Sequence, residues 1–135
     1  MLPLTIALNN TGLAAGMGAG LMSLTAGLGP LPIAGFLLVV TIIISTFLGG
    51  QTAGIIVAPI AIAAAQAGGT DPRAMAMAVA IGCSLAFISP FGHPAHLLVM
   101  GPGGYAFRDY LRLGAPVTLL MILVSLAGLH WIWQL

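Results

Sequence analysis

The polar side chains able to do chemistry in this sequence fall into two short runs. They are Gly49-Gly50-Gln51-Thr52 and Ser89-Pro90-Phe91-Gly92-His93-Pro94-Ala95-His96. Each run interrupts a stretch of apolar residues. His93 and His96 have a spacing that lets two helical side chains face one way, but Pro94 lies between them and no carboxylate or thiol is close in sequence. A metal centre needs more ligands than that, so no metal is expected beyond Na⁺ at the same loops. Ser45, Ser84 and Ser89 have no legible base arranged beside them, so the chain reads as no enzyme and calls for no cofactor. Binding remains. A helix that stops in apolar surroundings frees N–H groups suited to an anion at one end and carbonyls suited to Na⁺ or H⁺ at the other. Gly50 and Gly92 then give close backbone approach, Pro90 and Pro94 expose carbonyls, and Gln51, Thr52, Ser89, His93 and His96 offer polar contacts.

The elements that must position these runs belong in lipid. Charged residues are 4% of the chain and hydrophobic ones 60%, whereas a soluble domain carries roughly 25% charged residues. Asp71, Asp109, Arg73, Arg108 and Arg112 are the whole set. A water-facing surface cannot be built from them, so the expected fold is all-α and integral to a membrane, with the lipid bilayer as its solvent. No basic run calls for nucleic acid. Cys83, the single cysteine, cannot form an internal disulfide and reads as a small buried hydrophobe. The N-terminus lacks a positively charged leader, so no cleaved signal peptide is expected.

Gly and Pro divide the sequence into five apolar pieces. The first, Leu2 to about Leu8, is far shorter than a span. The second, about Leu13 to Leu28, sets Gly12, Gly16 and Gly20 four apart, a seam for close helix packing. Next come two arms of about 18–24 Å on either side of "GGQTAG", short of the ~30 Å hydrocarbon core. They read as a re-entrant hairpin over residues 35–66, the alternative being two complete but thin spans joined by an exposed turn. Asp71 and Pro72 then open a broken helix over about 72–100, whose first part runs to Ile88 and whose second covers Leu97–Met100. The last span is about 114–135, with Trp131 and Trp133 as interfacial anchors. The positive-inside bias puts Arg108 and Arg112 in the cytoplasm and the hairpin's mouth outside. A hairpin tip facing a helix break is the layout of secondary-transporter sites.

The run "GTDPRAMAMAVA" and the run "VMGPGGYAFRDYLRLG", at their mutual spacing, resemble the C-terminal part of the divalent anion:sodium symporter family, and "ALNNTGLA" resembles its segment ahead of the hairpin. The resemblance implies two inverted repeats, a homodimer joined through scaffold helices, and an elevator-like movement. It implies cation-coupled uptake (Na⁺ or H⁺) of a small divalent anion, a dicarboxylate, citrate or sulfate, at the hairpin tips and helix breaks. It also implies a bacterial inner membrane. Carried over, the tip falls on Gly49, Gly50 and Gln51, and the second loop on Ser89 to His96. Where the family has Ser-Asn-Asn at the tip, this chain has Gly-Gly-Gln; His96 stands where the loop's Asn is expected. The histidine pair raises proton coupling, because imidazole changes charge within the physiological pH range. Only one repeat is matched, so the N-terminal repeat must come from a longer chain or a separate subunit. The rival reading is a small helical membrane protein acting through its glycine seam, or a degenerate remnant that transports nothing.

Overall fold

A computed structural model of the chain describes residues 29–133, and ahead of them Ile6, Ala7, Asn10–Gly12, Gly16, Ala19, Gly20 and Ser23. The first apolar piece and the leucine stripe of the second lie outside the described residues. A Cβ added at any of the three glycines of the proposed seam would meet nothing within 4 Å among the described residues.

The described architecture is all-α: α1 (Pro30–Leu48), α2 (Gly50–Gly68), α3 (Pro72–Ser84), one 3-10 turn (Pro90–Gly92), α4 (Pro94–Gly103) and α5 (Phe107–Trp133). The sequence explains most of the boundaries. Pro30 stands where a helix's first N–H has no partner to lose, so it starts α1 well. Asp71 caps α3, its Oδ1 accepting from Arg73 N at 2.9 Å, with Pro72 at the first helical position as anticipated. Gly69 and Gly104 end α2 and α4 in the left-handed conformation, at φ 65° and 63°. In both, the next residue's N–H reaches back to close the helix end, Thr70 to Ala65 O and Tyr105 to Met100 O. Asp109 reaches back to the N–H of Ala106 at 2.9 Å, which caps the start of α5.

Four boundaries differ from the sequence reading. Each hairpin arm has 19 residues, not a dozen to sixteen. The glycines after Gly49 are absorbed into α2, so the "GGQTAG" turn shrinks to one residue. At about 28 Å per arm, both helices are long and apolar enough to cross a membrane. α3 stops at Ser84 rather than Ile88. Pro90 bars a helical conformation at the residue before it and removes an N–H, and the chain turns non-helical some five residues ahead of it. α4 resumes at Pro94 rather than Leu97, because a proline at the first turn is a starter, and it carries Pro102 within its last turn. α5 begins at Phe107 rather than near residue 114, placing Arg108 and Arg112 on a helix.

α1, α2 and α3 pack on one another around Ile33, Leu37, Leu38, Ile42, Val57, Ala61, Met75 and Val79. Small residues allow the close approach: a Cβ at Gly82 would sit 2.8 Å from Thr41 Cβ and 3.0 Å from Leu38 O. α5 lies against α1 and α3 with few buried side chains, Gly114, Thr118 and Leu129. Much of the remaining surface is apolar and exposed, including Leu113, Leu119, Leu123 and Trp131. Such a surface belongs against lipid or protein, and the chain is integral to a membrane.

Candidate functional site: four helix ends at one cleft

The hairpin tip and the break in the second helix meet. Gly49 has φ 84° and ψ 151°, a conformation essentially open to glycine alone. It turns the chain from α1 into α2 in a single residue. Gly50 then rests on the Cys83 carbonyl at the end of α3, so closely that a Cβ there would collide with that oxygen. From the other side, a Cβ on Gly92 would lie 2.5 Å from Ala86 Cβ and 3.4 Å from Ser45 O. Ser45, fully buried, donates its hydroxyl to Cys83 O at 3.1 Å. Its own carbonyl accepts from Gly49 N at 2.9 Å. One serine therefore ties the tip to the break.

Between them lies a cleft of about 890 Å³. It is lined by Leu48 and Gly49 from the end of α1, Gly50, Gln51 and Thr52 from the start of α2, and Cys83 and Ser84 from the end of α3. Ala86, Phe87, Phe91, Gly92 and His93 of the break and Pro94, Ala95 and His96 at the start of α4 complete it. Two helix N-termini and two C-termini thus open on one space. None of the lining side chains is Asp, Glu, Lys or Arg. Charge here comes from the backbone: partial positive at the starts of α2 and α4, partial negative at the ends of α1 and α3. The N-terminus of α2 has no side-chain cap, which leaves its first N–H groups available. Among the described residues no group of three or more His, Cys, Asp or Glu could hold a metal ion.

Of the residues singled out by sequence, Gly49, Gly50, Gln51, Thr52, Gly92, His93, Pro94 and His96 are brought together in this lining. Ser89 and Pro90 are buried and stand outside it. Ser89 is occupied as a cap, its Oγ accepting from Phe91 N at 3.1 Å. His93 caps α4, Nδ1 accepting from Ala95 N at 3.3 Å, which requires the ring proton to be on Nε2. His96 turns its Nδ1 to 3.5 Å from Ser89 O, and its ring stacks obliquely on Phe87, His93 and Tyr110. The Tyr110 hydroxyl donates to His96 O at 2.9 Å.

Sequence reasoning missed Ser45, Cys83 and Tyr110. Ser45 looked like one more hydroxyl in an apolar helix, where most such groups bond back within their own helix, as Thr41 and Thr46 do at 2.6 and 2.7 Å. A signal existed all the same, since Ser45 is four residues before the tip. Cys83 contributes its carbonyl, which any residue type supplies. Tyr110 was hidden by reading the segment before residue 114 as a loop.

The family described as the sodium:sulfate symporter transmembrane region matches residues 1–135, and the chain belongs to that family. Among its relatives, the uncharacterized transporter YfbS of Escherichia coli strain K12 is 40% identical over 124 residues. The sodium/sulfate cotransporter 2 of Chlamydomonas reinhardtii is 33% identical over 122 residues. The matches cover 92% and 88% of this chain, but only 20% and 14% of the two relatives. This is a transporter family rather than an enzyme family.

Proposed function

We propose that this chain carries one half of the site of a sodium-coupled symporter for a divalent anion, with sulfate the first candidate cargo and a dicarboxylate or citrate the next. The observation that carries the reading is the meeting of four helix ends at a cleft without a charged side chain. Backbone N–H groups at the uncapped start of α2 suit a tetrahedral or planar oxyanion, whereas α4 adds only the partial positive charge of its end, because Pro94 has no N–H and His93 takes those of Ala95 and His96. Carbonyls at the ends of α1 and α3 suit Na⁺, which asks for oxygen ligands and no proton transfer. The name printed for the Chlamydomonas relative supports both sodium and sulfate.

The hairpin is re-entrant on this reading. Its tip lies level with the break, and the break is level with Gly114, which packs on the Phe87 and Ile88 backbone. Gly114 is seven residues inside α5, about 10 Å from its start. On this reading the tip reaches the edge of the hydrocarbon core and turns back there, without passing the headgroups. The opposite wall of the cleft comes from an inverted N-terminal repeat, in the same longer polypeptide or a separate subunit, within a homodimer. The E. coli relative favours a bacterial inner membrane.

The test is uptake of radiolabelled sulfate by vesicles holding the whole assembly, driven by a sodium gradient. Uptake that requires Na⁺ and is competed by excess cold sulfate supports the reading. Uptake that ignores Na⁺ and follows an imposed proton gradient removes the sodium assignment. No uptake of sulfate, dicarboxylate or citrate by a correctly inserted assembly removes the transport reading.

A further inference from the structure

A second cavity, of about 300 Å³, lies on the other side of His96 from the cleft. Its walls combine the rings of Phe87, His96, Tyr105 and Tyr110 with the Asp109 carboxylate, and Leu113 and Val117 lead out of it along α5. The rings form a continuous set: Phe87 to His96 at 6.4 Å between centroids, His96 to Tyr110 at 5.7 Å, and Tyr110 to Tyr105 at 6.2 Å and nearly edge-on. Aromatic faces around a carboxylate are the surroundings an organic ammonium group prefers. The floor is apolar, and the two leucine and valine side chains that continue it are exposed, Leu113 at 69% and Val117 at 47%. Beside Asp109, the exposed Arg108 and Arg112 stand four apart on α5, one helical turn.

We infer that this cavity seats the head of a zwitterionic phospholipid: the ammonium between the Tyr105, Tyr110 and His96 rings and Asp109, the phosphate at Arg108 and Arg112, and an acyl chain along Leu113 and Val117. Depth agrees. α5 has 27 residues, about 40 Å, which exceeds the ~30 Å hydrocarbon core by about 10 Å. With Trp131 and Trp133 anchoring one end, the surplus falls on the first two turns, at headgroup level. Asp109 keeps Oδ1 for the ammonium while Oδ2 caps α5. The lipid site shares Phe87 and His96 with the cleft, and Tyr110 holds the His96 carbonyl. The binding claim does not depend on what the cleft transports.

Native mass spectrometry of the solubilised assembly, titrated with phosphatidylethanolamine or phosphatidylglycerol, tests it. The two lipids share phosphate and chains and differ in the ammonium. Tighter retention of phosphatidylethanolamine is expected, by about fivefold, the worth of one partly desolvated cation–aromatic contact. Asp109→Asn keeps an acceptor for Ala106 N–H, so α5 stays capped, and should erase that preference while leaving phosphatidylglycerol retention unchanged. Equal retention of the two lipids by the native protein overturns the proposal, whether or not the variant folds. So does an Asp109→Asn protein with the native melting temperature and an undiminished preference. Displacement of the lipid by soluble phosphoethanolamine at equal concentration overturns the lipid assignment, because the chain along α5 would then contribute nothing.

Discussion

The two sides of His96 are built on different principles. Toward the cleft, the hairpin tip and the break touch backbone to backbone: Gly50 on Cys83 O, Gly92 on Ala86 and Ser45 O, with Ser45 as the one side-chain tie. Toward α5, contact is made by rings with spaces between them except at Gly114, which packs on the Phe87 and Ile88 backbone as closely as Gly50 does on Cys83, and most of α5 is exposed. The first arrangement fixes oxygen and N–H positions to fractions of an ångström, which small ions require. The second tolerates exchange of one ring or chain for another, which suits lipid. Gly114 apart, substitutions should therefore hurt far more on the cleft side than on the α5 side.

The harshest break of that comparison is Gly50→Ala. Its Cβ meets the Cys83 carbonyl, a backbone atom that cannot turn aside. Overpacking at such a point costs about 1–3 kcal/mol, and sodium-driven uptake should be lost because tip and break must part. Gly49→Ala follows, since forcing a side chain into φ 84°, ψ 151° costs about 1–3 kcal/mol. Thermal melts of the assembly, together with uptake, check both. Ser45→Ala should cost about 1 kcal/mol for the bond to Cys83 O, and should weaken apparent sodium affinity more than maximal uptake. On the α5 side, Tyr110→Phe removes the bond to His96 O but keeps the ring, so a loss of about 0.5–1.5 kcal/mol is the ceiling. The smallest effect belongs to Thr118→Val. Its Oγ1 is buried without a partner among the described residues, so replacing it by a methyl should be neutral or slightly stabilising in a melt. An effect at Thr118 or Tyr110 as large as that at Gly50 would erase the distinction between the two sides.

Much of the cleft was legible in the sequence because its makers are glycines and prolines, whose backbone consequences are local. Gly49 and Pro72 announce where a helix turns or starts, whereas Pro94 was read as part of the break and in fact starts α4. Length was less legible. Counting arms between glycines undercounted α1 and α2, since a helix in apolar surroundings keeps its hydrogen bonds across glycines that would loosen it in water. α3 was overextended to Ile88 because apolarity marks burial and not helicity; Ala86, Phe87 and Ile88 are partly or wholly buried without being helical. Contacts across the fold, such as Ser45 to Cys83 over 38 residues, leave no periodic trace.

The central claim is that Na⁺ and a divalent anion occupy the cleft between tip and break. Cys83, the single cysteine of this chain, gives the cleft its carbonyl and turns its thiol toward Gly54 beside the tip, so its labelling reports on access at the edge of the cleft. The measurement is the rate of maleimide labelling of Cys83 in the membrane-embedded assembly, read at the peptide level by mass spectrometry. Na⁺ and sulfate together should slow labelling several-fold, while potassium chloride at equal ionic strength should not. A labelling rate indifferent to both ions, in an assembly that takes up sulfate, would place the site elsewhere and contradict the account.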